Sequence, residues 1–285
     1  MNLILQGLNP DTAAIAKVVA AACAEARQPL AIGPHAWRVE GVRLSEEGEG
    51  GLAALDEICL ALQLDYALFE RQPALADFKL LAMDMDSTLI TIECIDEIAD
   101  MQGLKPQVAA ITEAAMRGEI EFRESLTRRV ALLKGLDASA LQRVYDERLR
   151  LSMGAQPMLN AIKEAGLKTL LVSGGFTFFT ERMQERLGLD YTHANVLEID
   201  NGKLTGRVIG GIVDAEEKQR TVERVCAALG CSARQAIVMG DGANDLKMMG
   251  IAGMSVAFRA KPVVRRQAGV ALNFVGLDGI LSLFA

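Results

Sequence analysis

The chain has 285 residues, of which 51% are hydrophobic and 24% are charged, and this ordinary globular composition argues against a disordered protein or a coiled coil. Its 30 basic residues are outnumbered by 37 acidic ones, and the net charge of −7 disfavours a protein whose main task is gripping nucleic acid. No apolar run reaches the roughly 18 residues that a membrane-spanning helix needs, which disfavours a membrane protein.

Residues 1–76 are predicted to form a small α+β domain. The order of its elements, β-α-β-β-α-β, is ferredoxin-like and resembles in shape the ACT-type modules that bind amino acids. A loop is expected at 46–51, and a linker containing Pro73 at 71–77. The predicted elements are strand Leu3–Leu5, a helix from the N-cap Asn9 to about Arg27, strands Leu30–Ile32 and Ala36–Leu44, helix Leu52–Leu62 and strand Asp65–Phe69.

Residues 77–285 are predicted to form a Rossmann-like α/β domain with a mainly parallel sheet, because apolar strands alternate with helices. Residues 93–153 show helical patterns and no strand, and are expected to form an inserted helical cap, here called the lid. The predicted elements are strands Leu80–Met83, Thr169–Val172, Ile237–Met239, Met254–Ala257 and Ala271–Phe274, helices Pro157–Ala165, Thr177–Leu187 and Glu216–Leu229, and a hairpin turn at Asp200–Gly202.

The first three of these strands each end in a polar cluster, and parallel sheets bind ligands at the carboxyl ends of their strands. Asp84-x-Asp86-x-Thr88 directly follows the first strand. Two carboxylates two residues apart can divide the chemistry, one attacking and the other handling a proton. Taken alone, the pattern is also compatible with a turn that has capping carboxylates.

The other two clusters suit a metal ion and a phosphate. Asp241 and Asp245 in GDGAND offer hard oxygen ligands, which favour Mg²⁺, although an Asx-type loop capping a helix has the same sequence. Ser173-Gly174-Gly175 can cradle an anion or act as a plain N-cap. Lys218 lies in the first turn of a helix, where most lysines are solvated.

Together the four segments resemble, in order, the motifs of the haloacid dehalogenase superfamily of phosphotransferases over about 77–258. The lid is similar to that of the phosphoserine phosphatases, through Glu93, Asp96-Glu97 and the run FRESLTRRV at Phe122–Val130. The resemblance implies Mg²⁺-dependent hydrolysis of O-phosphoserine through an aspartyl-phosphate, the last step of serine biosynthesis.

The resemblance also implies a role for each matching residue. Asp84 is expected to be the nucleophile and Asp86 the proton donor, then the base. Mg²⁺ is expected to be held by the Asp84 carboxylate, the Asp86 backbone carbonyl and Asp241. Phosphate is expected to be bound by Ser173, Gly174 and Lys218, with Asn244 near the phosphate and Asp245 steadying Lys218 or the metal waters. Glu93 and Arg129 are expected to pair with the substrate ammonium and carboxylate.

Two other functions stay open at this point. The same chemistry could serve a phosphohomoserine phosphotransferase or another small-metabolite phosphatase, and Mn²⁺ or Co²⁺ could replace Mg²⁺. A non-catalytic amino-acid sensor is disfavoured because Asp84, Asp86 and Asp241 are all present.

The N-terminus and the cysteines predict a cytoplasmic protein. The first residues, MNLILQGLNPD, lack the features of a signal peptide. The five cysteines are scattered without a C-x-x-C pair, which favours reduced buried thiols over disulfides or a zinc site. The expected partner is the small-molecule substrate, and no nucleic acid or membrane partner is expected. A homodimer through the N-terminal domain is also expected.

Overall fold

The computed structural model describes residues 1–44, 51–116 and 119–285. Except for Gly51, the predicted loop at 46–51 lies outside the described residues. Among the described residues, no helix is long and apolar enough to span a membrane. The elements of the N-terminal part are β1 (Asn2–Gln6), α1 (Thr12–Ala22), β2 (Cys23–Glu25), β3 (Leu30–Gly33), β4 (Ala36–Val39), β5 (Arg43–Leu44), α2 (Leu52–Ala61) and β6 (Asp65–Phe69).

The N-terminal part has the predicted ferredoxin-like arrangement. Four of its strands form an antiparallel sheet in the order β3-β4-β1-β6, and β2 pairs with β5 in a separate ribbon. Helix α1 begins at Thr12, and the Asp11 carboxylate accepts a hydrogen bond from the backbone N–H of Ala14. The prediction of Asn9 as N-cap was therefore wrong, and so was the helix end near Arg27, because the chain enters β2 at Cys23.

The remaining residues form the predicted α/β domain around a seven-stranded sheet. Its order is β10-β9-β8-β7-β11-β12-β13, and every pairing is parallel except that of β10 with β9. Its elements are β7 (Leu80–Met83), α3 (Cys94–Asp100), α4 (Lys105–Met116), α5 (Phe122–Leu132), α6 (Ser139–Arg143), α7 (Ala155–Glu164), β8 (Lys168–Phe176), α8 (Thr177–Leu187), β9 (Tyr191–Asp200), β10 (Lys203–Ile209), α9 (Ala215–Ala228), β11 (Ala236–Gly240), α10 (Leu246–Ile251), β12 (Met254–Phe258), α11 (Pro262–Arg265) and β13 (Val270–Leu272).

The central strand β7 shows why a fully apolar run is needed at this position. Leu81 and Met83 pack into the apolar core on one face of the sheet, whereas Leu80 and Ala82 pack into the core on the other. Alternate side chains of a strand point to opposite faces, so a strand covered on both faces must be apolar throughout. Because β7 lies between β8 and β11, the three polar clusters meet at one edge.

The N-terminal sheet packs directly on the α/β domain. Ile4 and Ala67 belong to the same apolar core as the residues of β7. The Asp65 carboxylate is 1% exposed and accepts hydrogen bonds of 2.6–3.0 Å from the backbone N–H groups of residues 273–275. The predicted linker is also bound: the Gln72 side chain donates to the Leu283 carbonyl. The division at 76/77 stays a prediction, and the two parts share a core.

Replacing Asp65 with alanine should destabilise the protein by about 2–4 kcal/mol, because three buried or partly buried N–H groups lose a charged acceptor. The measurement is urea unfolding of the full chain. Asp77→Ala is the matched control, since within the described part of the chain Asp77 accepts a single backbone hydrogen bond, from Ala74, at an exposed site. A loss at Asp65 no larger than that at Asp77 would mean that the junction contributes little to stability.

Candidate active site

Asp84 is the first residue after β7, and it continues the sheet because its N–H donates to the Met239 carbonyl of β11 at 3.0 Å. Its Oδ1 accepts from the N–H of Met85, and its Oδ2 lies 2.7 Å from Nζ of Lys218. The side chain is almost buried, at 7% exposure. The sheet therefore holds this carboxylate in one orientation, aimed past the end of β7.

Lys218 is fully buried between two carboxylates. Its Nζ lies 2.7 Å from Asp84 Oδ2 and 2.8 Å from Oδ1 of Asp245, which is also fully buried. Burial alone would lower the pKa of Lys218, but the charges of Asp245 and Asp84 raise it, so the ammonium stays charged. Lys218 lies behind Asp84 and does not line the cavity. Its place in the first turn of a helix favoured a solvated side chain, so the local sequence did not indicate that Lys218 is buried.

Asp245 is committed to this arrangement through both of its oxygens. Oδ1 accepts from Lys218, and Oδ2 accepts from the N–H of Gly242 at 3.0 Å. Asp241 has a different partner, the Thr88 hydroxyl, which donates to its Oδ1 at 3.1 Å. The loop thus leaves the second oxygen of Asp241 available, whereas Asp245 positions Lys218.

The acidic groups suit a divalent cation. Carboxylate oxygens of Asp84, Asp241 and Asp245 all lie within 4.8 Å of one another. Burial, and next the charge of Asp245, raise the pKa of Asp241 to about 6, and the same two causes raise the pKa of Asp84 against the opposing effect of Lys218. One lysine does not balance three carboxylates in a buried site, and hard oxygen donors are the ligands that Mg²⁺ prefers.

Asp86 is placed to carry a proton. Burial and the charge of Glu93 raise its pKa to about 8, although hydrogen bonding from Cys94 opposes this. Among the described residues, its Oδ1 has no hydrogen-bond partner. Its Oδ2 lies so close to β8 that a Cβ on Gly175 would sit 2.9 Å from it. Only glycine allows this approach, and a protonated Asp86 can donate a hydrogen bond into the cavity.

The segment Ser173–Gly175 near the end of β8, which is predicted to bind phosphate and is here called the phosphate loop, is held by a residue that the sequence did not indicate. The Ser173 hydroxyl accepts from the Gly175 N–H at 2.8 Å and keeps its own proton free to donate. Asn195 of β9, 1% exposed, donates to the Gly174 carbonyl at 2.7 Å and accepts from the Val213 N–H at 2.8 Å. Asn195 therefore ties the loop to the start of α9. Its only sequence signal was an asparagine inside a strand, where this residue is uncommon.

The lid supplies the two residues predicted to select the amino-acid end of the substrate. Glu93 accepts a 2.7 Å hydrogen bond from the Ser87 hydroxyl, and the backbone of Ser87 is left-handed, with φ 56°. Arg129 of α5 is partly buried, which lowers its pKa, while the charges of Asp96 and Glu93 raise it. Asp96, an acid that the analysis did not assign to substrate, also lines the site.

These groups surround one cavity of about 900 Å³. It brings together the predicted catalytic, metal, phosphate and lid residues, apart from the buried pair Lys218 and Asp245. The predicted site residues that line it are Asp84, Asp86, Glu93, Arg129, Ser173, Gly174, Asp241 and Asn244.

Comparison with known proteins agrees with this geometry. The family model described as haloacid dehalogenase-like hydrolase matches residues 78–253. A phosphoserine phosphatase from Polaromonas sp. is 61% identical over 214 residues, which cover 73% of this chain and 91% of that protein.

Two solved structures are also similar. A probable phosphoserine phosphatase from Vibrio cholerae, in an unliganded form, superposes with a TM-score of 0.80 at 35% identity, covering 99% of this chain and 85% of that one. A substrate-bound phosphoserine phosphatase gives a TM-score of 0.69 at 36% identity, covering 73% of this chain and 99% of that one. The chain therefore belongs to the haloacid dehalogenase-like hydrolases, and within them to the phosphoserine phosphatases.

Proposed function

We propose that this chain hydrolyses O-phospho-L-serine to L-serine and phosphate, the last step of serine biosynthesis, through an aspartyl-phosphate on Asp84. The observation that carries the proposal is the composition of the single cavity described above. Asp84 and Ser173, the proposed phosphate site, line this cavity together with one acid and one arginine of the lid, Glu93 and Arg129. This set matches a molecule with a phosphate, an ammonium and a carboxylate.

In the first half of the reaction, an Asp84 carboxylate oxygen attacks phosphorus, and the bond from phosphorus to the serine oxygen breaks. The serine oxygen takes a proton from Asp86, whose raised pKa of about 8 favours the protonated form at neutral pH. In the second half, a water molecule gives its proton to Asp86 and attacks phosphorus. The bond to Asp84 then breaks, which releases phosphate and restores both carboxyl groups.

Charge explains why Lys218 lies where it does. A carboxylate that attacks a phosphate dianion meets like-charge repulsion, and a buried ammonium 2.7 Å from the attacking carboxylate offsets part of it. Ser173 and the Gly174 N–H are proposed to bind phosphate oxygens, with Asn244 beside them. Lys218 is proposed to act on the phosphate from behind Asp84.

Haloacid dehalogenase-like hydrolases generally use Mg²⁺, and the acidic cluster fits that ion. We propose that the Asp84 carboxylate, the Asp86 backbone carbonyl and Asp241 would hold it here. When bound, Mg²⁺ would neutralise charge on the phosphate and on the attacking carboxylate. Thr88 orients Asp241 for this role through its 3.1 Å hydrogen bond.

We further propose that the enzyme works in the cytoplasm, which is supported by its five free cysteines. The homodimer through the N-terminal domain also stays a proposal. Strand β3 is the edge of that sheet, and Leu30 and Ile32 on it are 54% and 37% exposed, so a second copy would pair there.

A phosphate-release assay tests the function directly. The purified chain should release phosphate from L-phosphoserine with a kcat/KM at least tenfold above that for a panel of sugar phosphates and nucleotides, and exhaustive treatment with EDTA should abolish the release. Added Mg²⁺ should restore it, and parallel reactions with Mn²⁺ and Co²⁺ would rank the metals. Serine or homoserine added as acceptor separates hydrolysis from transfer. Full activity after chelation, or a preference for another phosphate ester, would refute the proposal.

A further inference from the structure

The lid is joined to the catalytic body by an ion pair that the proposed mechanism does not use. Arg123, in the first turn of α5, places Nε 2.7 Å and Nη2 2.5 Å from Oδ2 of Asp214. Arg123 is 53% exposed, whereas the Asp214 side chain is 14% exposed. The guanidinium thus reaches from the lid to a carboxylate that is already fixed in the body of the enzyme.

Asp214 is fixed because it is the N-cap of α9. Its Oδ1 accepts from the Glu217 N–H at 2.9 Å, which leaves Oδ2 for Arg123. The helix that it caps carries Lys218 one turn later. The residue before it, Val213, is tied through Asn195 to the phosphate loop. The ion pair therefore ends on a segment that is hydrogen-bonded to the phosphate loop and to the start of α9.

The neighbouring lid residue packs on the same part. A Cβ on Gly174 would lie 3.1 Å from Cζ of Phe122, so the ring of Phe122 already lies against the phosphate loop. Phe122 and Arg129 are seven residues apart on α5, which places them on one face of the helix two turns apart. The position of the helix start consequently sets how far Arg129 reaches into the cavity.

We propose that Arg123 is a positioning residue for the substrate carboxylate: its ion pair with Asp214 holds α5 where Arg129 can bind that carboxylate. The inference rests on the proposed function, since it assumes a substrate with a carboxylate. Arg123 is not among the residues that line the cavity, so we assign it no contact with the substrate. Its loss should therefore raise KM more than it lowers kcat, and should affect carboxylate-bearing substrates most.

The expected change in KM follows from the exposure of the Arg123–Asp214 ion pair. Ion pairs with one exposed partner have modest strength, so Arg123→Gln should raise KM for phosphoserine about three- to fivefold. Its kcat should change less than about twofold, and KM for an aryl phosphate without a carboxylate should rise less than KM for phosphoserine. Arg123→Lys keeps the charge and should restore most of the wild-type KM.

A double-mutant cycle in the full chain tests the pairing. Asp214→Asn removes the charge and keeps a side chain that caps helices well, so α9 stays intact. Each single variant and the double variant should show the same rise in KM, because the second change removes nothing further. Arg128→Gln is the matched control, since Arg128 is on the same helix and its ion pair among the described residues is local, with Glu124. It should match the wild type.

Additive effects in the cycle, an equal rise for both substrates, or a loss confined to kcat would overturn the inference. A second measurement separates it from the proposed function. Hydrogen–deuterium exchange of the peptide covering 122–132 should be faster in Arg123→Gln and unchanged in Arg128→Gln, whichever substrate the enzyme takes. If phosphoserine is not the substrate but exchange is faster, the proposed function fails and the anchoring of α5 by the ion pair stands. Unchanged exchange in Arg123→Gln would refute the role of the pair.

Discussion

Asp84→Asn should lower kcat for phosphoserine by on the order of 10⁴-fold or more, because an amide cannot form the covalent phosphate intermediate. The substitution keeps the shape of the side chain. It also leaves Lys218 paired with Asp245 at 2.8 Å, so the buried ammonium is not left without a counter-charge. We therefore expect the fold to persist and the free energy of unfolding to change little. The measurements are steady-state phosphate release and urea unfolding.

Trapping the intermediate makes this prediction sharper. Wild-type enzyme quenched in acid during turnover should carry phosphate on the peptide that contains Asp84, and the variant should carry none. Asp77→Asn, at an exposed site in the same chain, controls for the handling of an Asp-to-Asn variant. A variant at Asp84 that folds and turns over near the wild-type rate would remove this residue from the role of nucleophile.

Much of the fold was predictable because the apolar runs are unambiguous. The strands Asp65–Phe69 and Leu80–Met83 and the helix Thr177–Leu187 begin and end where the pattern predicted. The start of α1 was not predictable, because Asn9 and Asp11 are both good N-caps. In the structure Ile15 and Val18 of α1 pack with residues of the sheet, and such a tertiary contact is not visible in the local sequence.

Site residues could likewise be predicted where local sequence positions them and could not where distant contacts do. Asp84, Asp86 and Asp241 follow buried strands directly, so their place at one edge of the sheet follows from the alternation of strands and helices. Asn195 could not be assigned from sequence. It acts through backbone groups of residues 174 and 213, and its bonds to them depend on the tertiary approach of three chain segments.

The burial of Lys218 shows how much the partners of a charge matter. In sequence it has Glu216 and Glu217 beside it and looks like an ordinary residue of a solvated helix face. In the structure Lys247 pairs with Glu216, while Lys218 turns inward to two carboxylates from other elements. A buried ammonium is tolerated only with such partners, and both of them come from loops after different strands.

Arg129→Ala should lower kcat/KM for phosphoserine roughly 30-fold to several thousand-fold, which corresponds to a loss of about 2–5 kcal/mol of transition-state binding. Arg129 is the proposed partner of the substrate carboxylate, and its loss removes that partner while the carboxylates of Glu93 and Asp96 stay in the lining of the cavity. Hydrolysis of an aryl phosphate, which has no carboxylate, should change less than about fivefold. Arg128→Ala, one residue away on the exposed face of α5, should leave both substrates unaffected.

Comparison of the two substrates decides what Arg129 does. The proposed phosphate chemistry uses Asp84, Asp86 and Ser173, none of which contacts α5 through a hydrogen bond or ion pair found among the described residues. A selective loss on phosphoserine would therefore point to recognition of the amino-acid end. Glu93→Gln should show the same selectivity through the substrate ammonium, with an added effect on the loop because Glu93 accepts from Ser87. Equal losses on both substrates would assign Arg129 to the stability of the lid. No loss on either would remove it from the site, and the identity of the substrate would then have to be sought among phosphate esters without a carboxylate.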